Sequence, residues 1–369
     1  MNKTIIASFT IICIICTVSC SNHETGEGMT IDVTTDLNNV LPSSELGYNI
    51  DYKIIKLDSD VEAFVKAESG MRFEAYLDYL YIASMGTVKI FHKNGDYITS
   101  LPIGNGPGEI PIVSGMSVNR LNKTLEVTTP KFLIIYDLVG LYIETRELPA
   151  IKKTEFAAFG DKHIFLQSNT FATNTNFVIL DNDDSQYEFE AKTCITKDKI
   201  HFPRHFNYSQ DDKTIYFTGY SDKVYLLKEG EERPQVIATV TNMAKESLPE
   251  MTSDDYWDYC KKHNYFWMIK NFYQYNDELY GFELDRERLL YNSATDKYYF
   301  HPMNKVMLTF GARCEDNNED FFIFPQDLLN DQILDKIKEK NLQFYNLITT
   351  ELTDNEENTW VIKLTYTKK

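Results

Sequence analysis

A repeat of about 45 residues is the feature that most constrains the fold of this 369-residue chain. Each copy has an apolar strand, a short break, a second strand that ends near an aromatic residue, a tight turn and a third strand. The turns at Gly95, Gly140, Asp184 and Gly230 are separated by 45, 44 and 46 residues. A period of this length is typical of the blades of a β-propeller. The five predicted units span residues 77–103, 121–149, 160–192, 211–239 and 275–303.

A sixth blade is predicted from the two ends of the chain. Residues 52–57 (YKIIKL) and 360–366 (WVIKLTY) both have strand patterns, and their pairing would close the ring and cover two exposed strand edges. The 24 Tyr and 23 Phe residues agree with a strand-rich chain. The sequence therefore predicts an all-β fold, a six-bladed β-propeller over residues 41–369.

Two helical segments are expected besides the blades. An insertion at about residues 243–268 separates the fourth and fifth units, and it carries Ser and Asp helix caps and a helical spacing of aromatic residues. A C-terminal amphipathic helix is predicted at about residues 326–349, just after Pro325, and we expect it to pack on one rim of the disc. The apolar positions of this helix are Leu329, Ile333, Ile337 and Leu342.

The N-terminus has the pattern of an export signal. Lys3 supplies positive charge, and residues 5–18 form an apolar run that is too short to span a bilayer. The run ends in Thr-Val-Ser-Cys, which resembles the cleavage box of bacterial lipoproteins, with Thr17 where Leu is usual. We therefore expect residues 1–19 to be a lipoprotein signal peptide, Cys20 to carry the lipid and residues 20–40 to be a flexible tether. The protein would then be anchored in the cell envelope, at the outer membrane, on its periplasmic side or its surface.

Charge and cysteine content exclude several classes of function. The formal net charge of −18, with no dense basic run, argues against DNA, RNA or anionic lipid headgroups as partners. Beyond Cys20 the cysteines are Cys194, Cys260 and Cys314. They form no Cys-x-x-Cys pair and no even-numbered disulfide framework, so buried free thiols are predicted. No cofactor is expected.

One loop gives the chain a family resemblance. Residues 41–69, the following Asn-Gly-Asp turn and the segment IGNGPGEI at residues 103–110 resemble the six-bladed β-propeller lipoproteins of Bacteroidota, which are related in shape to NHL-type and TolB-like propellers. The segment keeps the Gly-Pro-Gly-Glu of the family pattern, although the loop is shorter and Ile110 replaces an aromatic residue. The resemblance implies a propeller fold and export, and it implies no particular chemistry.

The same loop has two interpretations. Its glycines resemble a phosphate-binding loop, but no helix N-terminus and no Lys-Ser/Thr pair follow them. A structural role, in which glycines adopt positive φ and the carboxylate accepts backbone N–H groups between two blades, explains the pattern better. The residues of this predicted structural loop are Gly104, Gly106, Pro107, Gly108 and Glu109.

No metal site or catalytic residue is predicted. His201 and His205 have the spacing of two ligands on a helix, but Pro203 between them disfavours that helix. Residues 181–185 resemble half of a calcium loop without its glycine and distal glutamate, and they fall on a blade turn. By analogy with propeller lactonases, three further residues are considered as channel-mouth metal ligands, although nothing in their spacing requires it: Glu109, Asp316 and Asn317.

The aromatic residues of the insertion suggest a binding surface, although packing on the blades would also explain them. The four candidate binding residues are Trp257, Tyr265, Phe266 and Trp267, accompanied by Tyr256 and Tyr259. The leading hypothesis is a non-catalytic binding or scaffold protein for a protein or glycan partner at the cell envelope. The alternative is a metal-dependent propeller hydrolase, lactonase or lyase with its site in the central channel.

Overall fold

The fold consists almost entirely of strands arranged as six sheets. The computed structural model describes residues 29–31, 37–66, 71–84, 86–149, 155–168, 174–181, 186–192, 206–218, 222–240, 252–263, 265–266, 269–284, 287–304, 313–324, 329–351 and 359–369. The strands of these residues are, in chain order, β1 (Met29–Ile31), β2 (Tyr48–Lys56), β3 (Arg72–Tyr76), β4 (Tyr79–Ser84), β5 (Thr87–His92), β6 (Tyr97–Ser100), β7 (Gly115–Asn119), β8 (Thr124–Thr128), β9 (Phe132–Asp137), β10 (Tyr142–Glu147), β11 (Glu155–Phe159), β12 (Lys162–Ser168), β13 (Asn174–Asp181), β14 (Gln186–Lys192), β15 (Phe206–Tyr208), β16 (Thr214–Thr218), β17 (Lys223–Lys228), β18 (Gln235–Val240), β19 (Ile269–Gln274), β20 (Leu279–Leu284), β21 (Glu287–Asn292), β22 (Lys297–Phe300), β23 (Arg313–Asp316), β24 (Glu319–Phe324) and β25 (Trp360–Lys368). The helices are α1 (Ser253–His263), α2 (Asp331–Lys340) and α3 (Leu342–Glu351), with 3-10 turns at Leu37–Asn39 and Ser43–Glu45.

Each sheet is one blade with four antiparallel strands, to which blade 4 adds the parallel strand β1. From the inner to the outer strand, blade 1 is β3 to β6, blade 2 is β7 to β10, blade 3 is β11 to β14, blade 4 is β15 to β18 and blade 5 is β19 to β22. Blade 6 has the order β23, β24, β25, β2. The six-bladed architecture predicted from the 45-residue repeat is confirmed.

Six hydrophobic clusters hold the blades together, and each lies between two neighbouring blades. The cluster around Leu125 and Tyr81 joins blades 1 and 2, and the next five join blades 2 to 3, 3 to 4, 4 to 5, 5 to 6 and 6 to 1. This closed series of interfaces makes a ring. Cys314 is buried in the interface between blades 6 and 1, and Cys260 is also buried; neither forms a disulfide, in agreement with the buried thiols predicted from the sequence.

Blade 6 closes the ring with strands from both ends of the chain. The outer strand β2 pairs antiparallel with β25, from Tyr48 opposite Lys368 to Lys56 opposite Trp360. On its other side β25 pairs with β24. The predicted pairing of residues 52–57 with 360–366 is therefore present, and it joins the start of the propeller to its end.

The inner strand of each blade lies outside the predicted units. The repeat was interpreted as three strands, whereas each blade has a fourth strand next to the central channel. These strands are short, and β3 (RFEAY) alternates polar and apolar residues because one side faces the channel and the other the core. The weak apolar pattern explains why they were not recognised.

The alternating strand direction sorts the connections onto two faces of the disc. The turn between the first and second strands of a blade and the turn between its third and fourth strands lie on one face, which we name the hairpin face. The other connections lie on the opposite face, which we name the crossover face. The insertion with α1 follows the outer strand of blade 4, and α2 and α3 connect β24 to β25, so these segments start and end on the crossover face.

The segment predicted as a tether contains a strand. Met29–Ile31 lies within residues 20–40 and pairs in parallel with β18, which adds a fifth strand to blade 4. A tether through residue 40 is therefore wrong for these three residues. A three-residue strand has no recognisable pattern of its own, because it is held by the free backbone edge of the outer strand.

The C-terminal helix is a pair of helices rather than one. Asn341 ends α2 with non-helical backbone angles, and its side chain accepts a hydrogen bond from Phe344 N (3.0 Å) at the start of α3. Its amide group also donates to Tyr52 Oη (2.7 Å). Ile337 is buried as predicted, but Leu342 is 57% exposed, because the break at Asn341 rotates it away from the apolar face.

Candidate functional site

A cluster of charged side chains joins four blades across the centre of the hairpin face. Arg120, in the inner hairpin of blade 2, contacts Asp212 of blade 4 (Nη1–Oδ1 3.1 Å) and Asp316 of blade 6 (Nη1–Oδ1 3.0 Å). Lys93 of blade 1 contacts the other oxygen of Asp316 (Nζ–Oδ2 2.6 Å). We name these four residues the central cluster. Two cations and two carboxylates make it close to neutral.

The guanidinium of Arg120 is enclosed on every side. Its Nη2 donates to the backbone oxygens of Ala75 (3.2 Å) and Glu315 (3.3 Å). Its Cζ lies 4.8 Å from the ring centroid of Tyr208 and 5.2 Å from that of Tyr76, which are cation–π distances. Arg120 is only 3% exposed. Both terminal nitrogens of this guanidinium donate hydrogen bonds while its two faces lie near aromatic rings, and Nε has no hydrogen-bond partner among the described residues. Arginine suits such a planar arrangement, whereas lysine does not.

Electrostatics stabilise the charged form of this arginine. Burial alone would lower the pKa of Arg120, but neighbouring anionic groups, Asp316 foremost, outweigh burial and raise that pKa. Burial raises the pKa of Asp212, although Arg120 opposes this effect. Both carboxylates of the central cluster are therefore already paired with cations, which indicates a structural role for the cluster.

The three residues considered as channel-mouth metal ligands are not brought together. Asp316 and Asn317 lie in the inner hairpin of blade 6 on the hairpin face, and Asp316 is paired with Arg120 and Lys93. Glu109 lies in the connection from blade 1 to blade 2, on the crossover face. In the part of the chain that the structure describes, no group of three or more His, Cys, Asp or Glu side chains is placed to hold a metal ion.

A shallow depression lies beside the central cluster. It has a volume of about 400 Å³ and belongs to the hairpin-face turns of blade 1. Its floor includes Lys93, so the depression borders the cation that holds Asp316. The lining residues are Asp78, His92, Lys93, Asn94 and Asp96.

A second buried network joins blades 5 and 6. Asp320 accepts hydrogen bonds from Tyr275 Oη (2.7 Å) and Tyr366 Oη (2.8 Å), and it pairs with Arg313 (Nη2–Oδ1 3.2 Å). Burial alone would raise the pKa of Asp320, but Arg313 and the hydrogen bond from His301 outweigh burial and hold that pKa well below its usual range. Sequence reasoning missed this network, because its members are separated by up to 91 residues along the chain.

His301 is held neutral within this network. Its Nε2 lies 2.8 Å from Asp320 Oδ2, and its Nδ1 accepts the backbone N–H of Met303 (3.0 Å). A ring whose Nδ1 is an acceptor can carry its proton only on Nε2. Burial lowers the pKa of His301 to about 4, against the opposing effect of Asp320. Protonation would therefore break the bond to Met303.

The glycine-proline loop packs onto blade 2. Glu109 Oε2 accepts the backbone N–H of Gly106 (2.8 Å), and the oxygen of Gly108 accepts the hydroxyl of Tyr136 (2.9 Å). Gly108 has φ +73°, and a Cβ there would approach the ring of Tyr142 to 2.7 Å, so glycine is required on both grounds. No helix follows the loop among the described residues, because residues 110–114 lead directly into β7.

The insertion presents a group of three rings that we name the aromatic trio: Tyr259, His263 and Tyr265. The centroids of Tyr259 and His263 are 4.5 Å apart, and the ring of His263 stacks on Tyr265 at 5.9 Å with planes 17° apart. The backbone N–H of Tyr265 donates to Cys260 O (2.8 Å), which fixes the chain just after α1. Tyr265 is 38% exposed, whereas Phe266 packs against the core between blades 4 and 5.

Several residues from the sequence analysis lie outside the described part of the chain. Trp257 lies in α1, but its side chain is not among those described, and the same holds for Tyr256. Residues that are outside altogether are Trp267, His201, His205, Cys194, Cys20 and 182–185. Among the described helices, none combines the length and apolar character that a membrane span needs.

Comparison with known proteins identifies the family. A family model described as DUF5128, a 6-bladed beta-propeller, matches residues 50–307, which is more than half of the chain. The chain is a DUF5128 propeller. The match begins within β2 and ends before β23, so the inner three strands of blade 6 follow it. No curated protein matches this DUF5128 chain.

One solved structure supports the fold of this DUF5128 propeller, and others show a weaker similarity. A Bacteroides fragilis protein named as exported shares 13% identity, with a TM-score of 0.59 over 86% of this chain and 96% of that one. A DUF4221 member from Bacteroides vulgatus (11% identity, 87% and 98% coverage) and a gluconolactonase from Xanthomonas campestris (9% identity, 89% and 94% coverage) both have TM-scores of 0.46. At these identities the similarity concerns the fold alone.

Proposed function

We propose that this DUF5128 propeller is an exported, lipid-anchored binding protein whose ring is a rigid scaffold at the cell envelope. The aromatic trio is the observation that carries the proposal, because stacked rings with an exposed edge provide apolar area at little entropic cost. Export is supported by the N-terminal sequence and by the name of the Bacteroides fragilis neighbour, and lipidation at Cys20 is supported by the N-terminal sequence alone. The partner is a protein or a glycan that covers Tyr265.

The central cluster favours binding over catalysis. A metal-dependent hydrolase would need open carboxylates in the channel, whereas Asp212 and Asp316 are held by Arg120 and Lys93. Freeing them would leave buried charge without a partner. We therefore place the activity of this protein on the surface of the ring. Calcium or zinc bound to the purified protein would favour the hydrolase instead.

Tyr265→Ala is expected to weaken partner binding about tenfold, because an exposed stacking ring contributes on the order of 1 kcal/mol. The measurement is retention on a glycan array and recovery of partners from envelope extracts, followed by titration of whatever binds. Phe64→Ala is the matched control, since Phe64 is 37% exposed and Tyr265 is 38% exposed. Equal binding by wild type and Tyr265→Ala, or no binding to either source, would contradict the proposal.

Cys20→Ala is expected to release the protein from the membrane. Several acyl chains on one cysteine give stable anchoring, and none of them can attach without the thiol. The measurement is the share of the protein in the soluble fraction after cell lysis and ultracentrifugation. Ser21→Ala, which leaves the thiol in place, is the control. A Cys20→Ala protein that still sediments with membranes would show that another segment holds it there.

A further inference from the structure

Outer blade edges in this protein accept an added strand. On blade 4 this strand is β1, which pairs with β18. On blade 5 a single residue, Leu41, forms an isolated parallel bridge: it donates to Tyr298 O (3.0 Å) and accepts from Phe300 N (2.8 Å). Both edges therefore obtain partners for backbone groups that would otherwise face solvent.

The outer edge of blade 2 has no such cover among the described residues. Its strand β10 is the last of its sheet, and every residue of it except Glu144 is exposed. The apolar residues at its start are unusually accessible, with Leu141 67%, Tyr142 45% and Ile143 51% exposed. An apolar open edge of this kind favours pairing with another strand.

The register within blade 2 shows which backbone groups face outward. Leu148 N donates to Lys131 O (2.8 Å), so Leu148 is directed towards β9. Because direction alternates along a strand, Glu144 and Arg146 are also directed towards β9, where they lie opposite Ile135 and Leu133. The backbone N–H and C=O groups of Thr145 and Glu147 therefore point away from the blade. These are the groups available to a second strand.

We propose that this edge pairs with the same edge of a second copy, antiparallel and with the two-fold axis at Thr145. In that register Thr145 meets its own counterpart, and Glu144 lies opposite Arg146 of the partner subunit. The reciprocal contact forms as well, so two opposite-charge pairs flank the axis.

Charge selects this register over its neighbours. The two strands can slide past each other only by an even number of residues, because the outward N–H and C=O groups of one strand must lie opposite those of the other. The adjacent registers place Arg146 opposite the partner's Arg146, or Glu144 opposite the partner's Glu144, and both pairs are repulsive. Within one subunit Arg146 Nε already lies 3.0 Å from Glu144 Oε1, so the four charges would form one alternating group.

Cysteine cross-linking of the full-length protein in membranes tests the register. Thr145→Cys is expected to form an intermolecular disulfide under mild oxidation, because the axis places the two thiols opposite each other. Glu147→Cys is the matched control, since its backbone is equally outward-facing but it lies two residues from the axis, so its thiol would not meet the same thiol of the second copy. Wild-type protein controls for the native cysteines. Equal cross-linking of the two variants would overturn the proposal.

Charge reversal tests the pairing independently. On the Thr145→Cys background, Glu144→Arg is expected to reduce cross-linking about tenfold, since both attractive pairs become repulsive. Adding Arg146→Glu restores opposite charges within and between subunits, so cross-linking should return. If Glu144→Arg has no effect, or if the swap fails to restore the dimer although circular dichroism shows a folded protein, the proposal is wrong. Cross-linking to a different protein would assign the edge to that partner instead.

Discussion

Arg120→Ala is expected to lower the free energy of unfolding by about 3–5 kcal/mol, because it takes one of two cations from the buried carboxylate of Asp316 and the guanidinium from half-buried Asp212. Asp316 is 2% exposed and would keep only Lys93, and Asp212 would lose its guanidinium. Blade 2 would lose its ion pairs with blades 4 and 6 at the same time. The measurement is chemical denaturation at pH 7, followed by intrinsic fluorescence and circular dichroism.

Two further variants separate charge from volume and from surface effects. Arg120→Met keeps most of the apolar volume of the side chain. Adding Asp316→Asn removes a carboxylate whose charge Arg120 had balanced. The double variant should therefore be more stable than Arg120→Met alone. Lys340→Ala removes an exposed ion pair with Glu339, and it should leave the free energy of unfolding almost unchanged. A loss of under 1 kcal/mol for Arg120→Ala would show that the central cluster does not hold the ring.

Acidification is expected to destabilise the protein between pH 6.5 and 4, by on the order of 3 kcal/mol from His301 alone. The folded pKa of His301 is about 4, and its ordinary value is 6.5. Between these values the unfolded chain binds a proton that the folded protein excludes, so the free energy of unfolding falls as pH falls. The lowered pKa values of Asp320 and Glu283 act in the same direction at still lower pH. The measurement is denaturant unfolding at a series of pH values.

His301→Gln identifies the group responsible. It should be less stable than wild type at pH 7, because the backbone N–H of Met303 loses its acceptor, but its stability should change little between pH 6.5 and 4.5. His92→Gln, which changes an exposed histidine, should keep the wild-type slope. If the free energy of unfolding of His301→Gln falls with pH as steeply as that of the wild type, another group is responsible for the titration.

The periodic part of the fold could be predicted from the sequence, whereas the contacts at its centre could not. Every blade repeats the same local sequence pattern of apolar strands and turns. The spacing of about 45 residues between those turns therefore predicts the blades. The pairing of residues 52–57 with 360–366 followed from the need to close a ring. Inner strands such as β3 were missed, because their channel side is polar and their length is five residues.

The central cluster shows why single-sequence reasoning stops short of a site. Lys93, Arg120, Asp212 and Asp316 come from four blades, and no spacing along the chain relates them. What these four residues have in common is that each lies at a turn on the hairpin face. That position can be assigned only when the inner strand of each blade has been identified. Asn341 is a similar case, since an asparagine within an amphipathic pattern gives no sign that its side chain caps a second helix.

Ring closure also constrains the order in which this protein can fold. The strand β25 is central in blade 6, between β24 and β2, so that blade cannot assemble before β25 is available. Until then the apolar faces of β2 and β24, including Phe322 and Ile55, have no partner in β25. Closing this pair requires contact between residues at opposite ends of the propeller, which is a slow, entropically costly step. The ring can therefore close only once the whole segment from β2 to β25 has been synthesised.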